Sequence, residues 1–276
     1  MTPSLPPETS VVVDDWSAVE ATGRDACKFL NNFCTNDVAA LAEGESCEAM
    51  FTDVKAHVIA YAWVARIADQ GYVALLSSPR AESLHEHLDK YLIREQVELA
   101  VVPPGPWTLS HGHGEPIGGA VALSAFGDRV VATRGRLAEE QQLLSGEQFE
   151  RLRITLGVPL DGIDVDSRNL PQEVDRNDRA ISFTKGCYLG QEPVARIDAL
   201  GRVNWLLRGL AVDGPAPDRG AEVTVGGKPG GRVTSAVGTD SGSIALAYVR
   251  REHASGETAA KVGSCDAAIR VLPLGA

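Results

Sequence analysis

The sequence predicts an α+β fold followed by a small all-β unit, and three observations lead to this class. A chain of 276 residues with 44% hydrophobic residues can bury a sizeable core and is long enough for two or three domains. Helix-like and strand-like runs follow one another without the regular alternation of a doubly wound sheet. After about residue 203 only short β-like runs remain, separated by glycines, which is typical of a barrel or a sandwich.

The first half of the chain carries the patterns of the mixed unit. Apolar residues recur at helical spacing within residues 24–33, and Ser78-Pro79 is a typical start for a second helix. His85 and His87 lie two apart on that second helix, so they do not face one another and are predicted to be solvated. The predicted strands of this half cover residues 11–13, 58–67, 72–76 and 97–102.

The second half leads into the all-β unit. Ser145 and Gln148 have the spacing of a capping box and predict a helix over about 146–156. Residues 160–180 form a long polar connection, which is usually functional or mobile. The predicted strands of the β unit cover residues 206–212, 221–225, 232–237, 244–249 and 268–272.

Charge and cysteine usage narrow the class of protein. The net charge of -11 disfavours non-specific binding to nucleic acid or to a membrane. No run approaches the roughly 20 apolar residues of a membrane span. Five cysteines without a CxxC pair predict reduced, cytosolic thiols and no metal site. We therefore expect a cytoplasmic protein.

One stretch, residues 185–192, combines several reactive or conformationally special residues. It places Cys187 between Gly186 and Gly190, after the cation of Lys185 and before the carboxylate of Glu192. A strand-like run at 181–184 precedes it and a helix-like run at 193–197 follows it. Such a turn directs backbone N–H groups at the start of the helix, and a nearby lysine favours a thiolate. The stretch can bind an anion, carry a reactive thiol or make a structural corner, and spacing alone leaves the three alternatives open.

This stretch, Lys185-Gly186-Cys187-Tyr188-Leu189-Gly190-Gln191-Glu192, resembles the signature of the YgfZ family, which is related to the glycine-cleavage T protein. Further segments resemble that family in the same order, namely Asp15-Trp16, Asp53-Val54-Lys55, Leu170-Pro171-Gln172-Glu173, Arg196 and Gly231-Arg232-Val233-Thr234-Ser235. The resemblance spans nearly the whole chain. It implies an α+β fold of three domains in a ring around a central funnel, ending in a small C-terminal β-barrel. The implied domains cover residues 1–105, 106–202 (with the signature) and 203–276.

The resemblance also implies a function. Members of that family bind tetrahydrofolate-like ligands in the funnel and support iron–sulfur proteins, including enzymes that thiomethylate tRNA. By position, Trp16 and Phe149 would stack on the folate rings, the second as Phe where relatives have Trp. From charge we assign Lys185 and Arg196 to the folate carboxylates and Glu173 to the pterin N–H groups. Cys187 is the candidate reactive thiol, and the acidic chain predicts that any effect on tRNA is indirect.

Two positions depart from the pattern of the related proteins. Ala60-Tyr61 stands where the T protein has the acidic pair of its aminomethyl transfer, so that chemistry has no obvious base here. Ala56 stands where the family has Gly, which puts a loop contact in question. The sequence therefore favours a folate-binding accessory protein for iron–sulfur proteins. A folate-dependent one-carbon transferase and a non-catalytic scaffold are the alternatives.

Overall fold

A computed structural model of the chain describes residues 4–111, 120–127, 130–135, 142–201 and 203–274. Its first unit is one eight-stranded sheet with the strand order β2-β3-β4-β1-β5-β7-β6, to which β8 adds by pairing with β1 in parallel. The other pairs of this sheet are antiparallel. Its strands are β1 (Thr9–Thr22), β2 (Ser46–Thr52), β3 (Val58–Ala68), β4 (Gly71–Leu76), β5 (Glu98–His111), β6 (Val121–Ala122), β7 (Val130–Arg134) and β8 (Gln142–Leu143).

Within the described residues, five α-helices and three 3-10 turns accompany the strands. The helices are α1 (Ala26–Phe33), α2 (Ala81–Asp89), α3 (Gly146–Leu156), α4 (Asn177–Ala180) and α5 (Gln191–Leu200). The 3-10 turns cover Val38–Ala40, Pro171–Val174 and Arg251–His253. The predicted capping box of α3 is confirmed, because the Ser145 hydroxyl accepts from the backbone N–H of Gln148 and the Gln148 side chain accepts in return.

Strand β3 shows how the sheet is covered on both faces. Side chains alternate along a strand, so Ala62 and Val64 point to one face and Tyr61 and Trp63 to the other. The first pair packs in a cluster with residues of α1 and α2. The second pair packs in the main core with residues of α3 and of the C-terminal unit. The buried side chains of both faces explain why β3 and β4 are apolar almost throughout.

The C-terminal unit is a closed six-stranded barrel, one of the two architectures that the glycine-separated runs leave open and the one that the family resemblance implies. The strands follow the order β10-β11-β12-β9-β14-β13 around the barrel. They are β9 (Trp205–Val212), β10 (Glu222–Val225), β11 (Lys228–Thr239), β12 (Gly242–Arg250), β13 (Thr258–Val262) and β14 (Cys265–Arg270). Strand β13 is the one that the sequence pattern misses, because its alternating, Ala-rich segment has little β-propensity.

A buried ion pair joins the barrel to α3. The guanidinium of Arg153 donates to Asp164 at 2.9 Å, and both side chains are almost fully buried. The same carboxylate accepts hydrogen bonds from the hydroxyls of Thr234 (2.5 Å) and Ser235 (2.6 Å) on β11. Asp164 belongs to the long connection of residues 160–180, so part of that connection is buried and links α3 to the barrel.

Four sequence expectations need correction. No strand forms at 181–184, where the chain bends after α4. Helix α2 starts at Ala81, because Ser78 directs its hydroxyl to the buried carboxylate of Asp161 at 2.5 Å. His87 is buried against Tyr91 rather than solvated, and burial lowers its pKa. Strand β5 runs through the boundary expected at 105/106, so the first two ranges share one sheet.

Candidate functional site: a signature turn and a central cavity

The signature turn, residues 185–192, closes the C-terminal end of α1. The ammonium of Lys185 donates to the backbone carbonyls of Asn31 at 2.7 Å, Cys34 at 2.9 Å and Asn36. The backbone N–H of Leu189 donates to Asn32 at 2.8 Å. The last carbonyls of a helix have no partners within the helix, so the turn supplies donors that α1 needs.

Lys185 is therefore engaged by the fold. Its side chain is buried and its nitrogen lies 5.2 Å from the centre of the Tyr188 ring. Burial lowers the pKa of Lys185 and raises that of the neighbouring Cys34 thiol. The role expected for Lys185, a contact to a folate carboxylate, does not fit this arrangement, because its three donors already have carbonyl acceptors.

Gly190 is the residue that lets the turn approach the loop of Asp53. Its φ of 83° lies in the left-handed region, and an added Cβ would lie 2.5 Å from the carbonyl oxygen of Asp53. The hydroxyl of Thr52 donates to the Leu189 carbonyl at 2.7 Å across the same contact. Ala56 of that loop has a φ of 66°, a conformation that favours glycine, which is the residue that the family resemblance implies at this position.

Gly186 and Cys187 are exposed, unlike Lys185 before them and residues 188–191 after them. A Cβ at Gly186 would meet nothing within 4 Å, so packing does not require glycine at this position. The thiol of Cys187 faces solvent between the buried Lys185 and Tyr188. The fold thus presents the thiol outward on an anchored turn.

The first turn of α5 completes the signature. Gln191 starts the helix, two residues earlier than the sequence suggests, and Gly190 precedes it as N-cap. Glu192 and Arg196 are exposed on this helix. Arg196 lines neither of the two cavities described below.

The two predicted folate-stacking residues lie in the core. Trp16 is 4% exposed and Phe149 is 5% exposed. Trp16 stacks on Trp63 with ring centroids 5.4 Å apart, and Phe126 stacks on Phe149 at 5.6 Å. Trp63 and Phe126, 6.2 Å apart, complete one aromatic row. The fold brings Trp16 and Phe149 into this row but gives neither an open face for a ligand.

A central cavity of about 800 Å³ lies behind this row, and residues from all three ranges expected as domains line it. Ala125 and Gly127, on either side of Phe126, form one part of its wall. Its lining also includes Ser4, His111, Leu156, Gly157, Val174, Asp175, Arg176, Asn177, Asp178, Arg179, Leu207, Leu272 and Pro273. The segment 174–179 supplies all its carboxylate and guanidinium groups.

Arg176 is held in the cavity wall by a buried carboxylate. Its guanidinium binds both oxygens of Glu48 and donates to the carbonyl of Gly157 at 3.1 Å. The hydroxyl of Tyr61 donates to Glu48 at 2.6 Å. Burial opposes the charge of Arg176, but Tyr61 and Glu48 outweigh it and raise the Arg176 pKa. Burial also raises the pKa of Tyr61. Sequence patterns do not reveal this triad, because Glu48 and Arg176 are 128 residues apart.

Two lining groups retain capacity to bind. Arg179 is 54% exposed, and its guanidinium lies 3.9 Å from a Glu48 oxygen that Arg176 already binds. The side-chain oxygen of Asn177 is buried and has no hydrogen-bond partner among the described residues. A buried oxygen without a partner is costly, and a ligand donor would satisfy it.

Glu173 lies next to the lining residue Val174. Its carboxylate accepts from the backbone N–H of Leu170 at 3.1 Å, and burial raises its pKa. Tyr248 pairs with the lining residue Leu207 across the barrel strands, and its buried hydroxyl has no partner in the described parts of the chain. Neither Glu173 nor Tyr248 lines the cavity itself; each lies beside a residue that does.

Ala60 and Tyr61, at the position where the family resemblance implies an acidic pair in the T protein, carry no carboxylate. The backbone N–H of Tyr61 donates to Asp161 at 2.9 Å. Asp161 is fully buried and also binds Ser78 and Arg80. Both of its carboxylate oxygens thus accept hydrogen bonds from groups of the fold.

Comparisons with known proteins agree with this architecture. A family model for the C-terminal β-barrel domain of CAF17 matches residues 202–273. The tRNA-modifying protein YgfZ of Klebsiella pneumoniae is 26% identical over 97% of this chain and 93% of its own length. A putative chloroplastic transferase of Arabidopsis thaliana is 29% identical over 90% of this chain and 67% of its own.

A solved structure, the aminomethyltransferase T of the glycine cleavage system from Bartonella henselae, superposes with a TM-score of 0.80 at 14% identity, covering 96% of this chain and 85% of that one. The fold is therefore that of the glycine-cleavage T protein class. Within that class, the barrel model and the YgfZ relatives support the resemblance to the YgfZ family that the signature indicates. In the part of the chain that the structure describes, we find no helix long and apolar enough to cross a membrane. The same residues contain no cluster of three or more metal-ligating side chains.

Proposed function

We propose that this protein is a folate-binding accessory factor for iron–sulfur proteins, acting in the cytoplasm and affecting tRNA modification through the enzymes that it supports. The observation that carries the folate part is the central cavity. Its volume of about 800 Å³ lies within the roughly 300–1,000 Å³ of small-molecule sites. It combines a partly free guanidinium with an unsatisfied buried oxygen, which suits a ligand with carboxylates at one end and N–H groups elsewhere.

The cavity residues divide the binding task by chemistry. Arg179 would pair with a folate carboxylate, since a guanidinium can bind one through two hydrogen bonds. Asn177 would accept a pterin N–H group, and Glu173, which precedes the lining residue Val174, would be a second acceptor. Trp16 and Phe149 would support the cavity from the aromatic row behind it. Bound tetrahydrofolate would supply one-carbon chemistry, whereas the chain supplies binding, orientation and an exposed thiol.

The exposed Cys187 supports the accessory role. It is the one exposed cysteine among the five, and the anchored turn fixes its position. The one-carbon transferase is less well supported, because Tyr61 replaces a carboxylate and Asp161 is occupied. The Arabidopsis relative is named a putative transferase, which is a reason to test the transferase alternative.

Calorimetric titration with tetrahydrofolate tests the cavity. We expect Arg179→Ala to weaken binding by about tenfold or more, the loss of one charge-assisted contact. Arg196→Ala on the exposed helix is the matched control and should bind like wild type. If Arg196→Ala weakens binding and Arg179→Ala does not, the ligand site lies at α5. If wild type does not bind tetrahydrofolate, the scaffold alternative is favoured. Trp16→Ala is a poor test, because truncating a buried Trp costs about 3–5 kcal/mol of stability.

Complementation tests the accessory role. In a strain that lacks the protein, Cys187→Ala should leave iron–sulfur enzyme activity at the level of the deletion. Cys265→Ala, which removes a half-buried thiol of the barrel, should restore activity. If Cys187→Ala restores activity as well as wild type does, the proposed role of this thiol is wrong. Formation of methylene-tetrahydrofolate from a methylamine donor by purified protein would instead favour the transferase.

A further inference from the structure

A second cavity, the barrel pocket, lies where α5 meets the start of the barrel. Its volume is about 650 Å³, and Trp205, Arg250 and Arg251 line it together with polar groups of Asn204 and Ser255. It shares no lining residue with the central cavity. The proposed function does not use it.

The centre of the barrel pocket is a stacked pair. Strands β9 and β12 place Arg250 opposite Trp205, and the guanidinium lies 5.2 Å from the centre of the indole ring. Trp205 is half-buried against the main core, so the ring has a firm support. A guanidinium stacked in this way keeps its N–H groups in its own plane and leaves its outer face open.

Arg251 and the neighbouring backbone complete the pocket. One nitrogen of Arg251 donates to the carbonyl of Gly201, where α5 ends, which holds this side chain in place. Among the described residues, its other N–H groups have no hydrogen-bond partner. Glu252 is the only acid in the lining, and its carboxylate lies 3.5 Å from the imidazole of His253. Two guanidiniums thus face one carboxylate, which makes the pocket locally cationic.

We propose that the barrel pocket binds a single-stranded RNA segment. A base would stack on the outer face of the Arg250 guanidinium, as bases stack on aromatic rings and on arginine planes in RNA complexes. Arg251 would bind the adjacent phosphate, and the amide of Asn204 and the hydroxyl of Ser255 supply further polar contacts. The chain's net charge of -11 does not prevent this, because charges beyond about 8 Å are largely screened at physiological ionic strength. This inference goes beyond the proposed function, which needs no direct contact with nucleic acid.

Fluorescence anisotropy with labelled single-stranded RNA and with unfractionated tRNA tests the proposal. We expect wild type to bind both. Arg250→Ala should raise the dissociation constant by about tenfold, because it loses one stacked base contact. Arg250→Lys keeps the charge and loses the plane, so it should weaken binding while leaving the salt dependence nearly unchanged. The exposed barrel residue Arg232 provides the control, because it does not line the pocket. Arg232→Ala should bind like wild type.

Competition separates the two possible sources of a nucleotide phosphate. Adenosine monophosphate at millimolar concentration should displace the RNA only weakly if a strand is the ligand. Full displacement at micromolar concentration would assign the pocket to a free nucleotide and overturn the RNA proposal. RNA binding that is absent in wild type, or equal in wild type and Arg250→Ala, would also overturn it. Folate titration of the same Arg250→Ala protein should be normal, so failure here does not touch the proposed function.

Discussion

The signature turn and the central cavity each bury a positive charge, and they stabilise it in opposite ways. In the turn, neutral backbone carbonyls surround the ammonium of Lys185, and burial lowers its pKa. In the cavity wall, the carboxylate of Glu48 binds the guanidinium of Arg176, and this pairing raises the pKa of Arg176. The difference shows that Lys185 serves the fold as a helix cap, whereas Arg176 positions the charged segment that lines the cavity.

The largest expected effect breaks the ion pair of the cavity wall. Glu48→Gln leaves Arg176 buried without a counter-charge, and we expect a loss of about 3–5 kcal/mol in the free energy of unfolding. Urea unfolding followed by tryptophan fluorescence measures this loss. The double variant Glu48→Gln with Arg176→Met should recover most of it. A single variant as stable as wild type would show that the pair does not hold the wall.

The next effect compares the two glycines of the signature turn. Gly190→Ala places a Cβ against Asp53 at a positive φ, and we expect a loss of about 2–4 kcal/mol of stability. Gly186→Ala adds a methyl group in open space and should change stability by less than about 0.5 kcal/mol. Thermal unfolding of both variants measures the difference. Equal losses would contradict the close approach at Gly190.

A smaller effect is expected at Lys185. Lys185→Met keeps the apolar stem and removes the ammonium from the carbonyls at the end of α1, which should cost about 1–2 kcal/mol. Affinity for tetrahydrofolate should stay unchanged in calorimetry, because the ammonium faces the helix. A variant that keeps its stability and loses folate affinity would restore the carboxylate role that the sequence suggests.

The smallest effect concerns Glu173 beside the cavity. Burial raises the pKa of this carboxyl in the folded state, so the folded protein holds a proton that the unfolded chain releases. Its contribution to stability is present below the ordinary pKa of glutamate and is lost as pH rises through the folded-state pKa. Glu173→Gln should therefore gain about 0.5 kcal/mol over wild type at neutral pH and nothing at pH 4. Urea unfolding at the two pH values measures this, and tetrahydrofolate affinity should fall in the same variant.

The sequence by itself determined the features that depend on near neighbours. The capping box of α3 joins residues three apart, and the barrel strands other than β13 are marked by the glycines between them. The signature also indicates the resemblance to the YgfZ family, because its eight residues are contiguous. The position of the exposed Cys187 on a turn before a helix belongs to this group.

Only the tertiary structure decided which groups meet. Lys185 finds its carbonyl acceptors 149 to 154 residues away, so charge alone suggested a ligand contact that the fold does not offer. The family resemblance predicts that Trp16 and Phe149 contact folate, but Trp63 and Phe126 pack between them and both rings are buried. Arg176, Glu48 and the cavity come together through long-range packing of sheet, helix and barrel. Local sequence carries no record of these pairings, because each is set by the relative placement of whole elements.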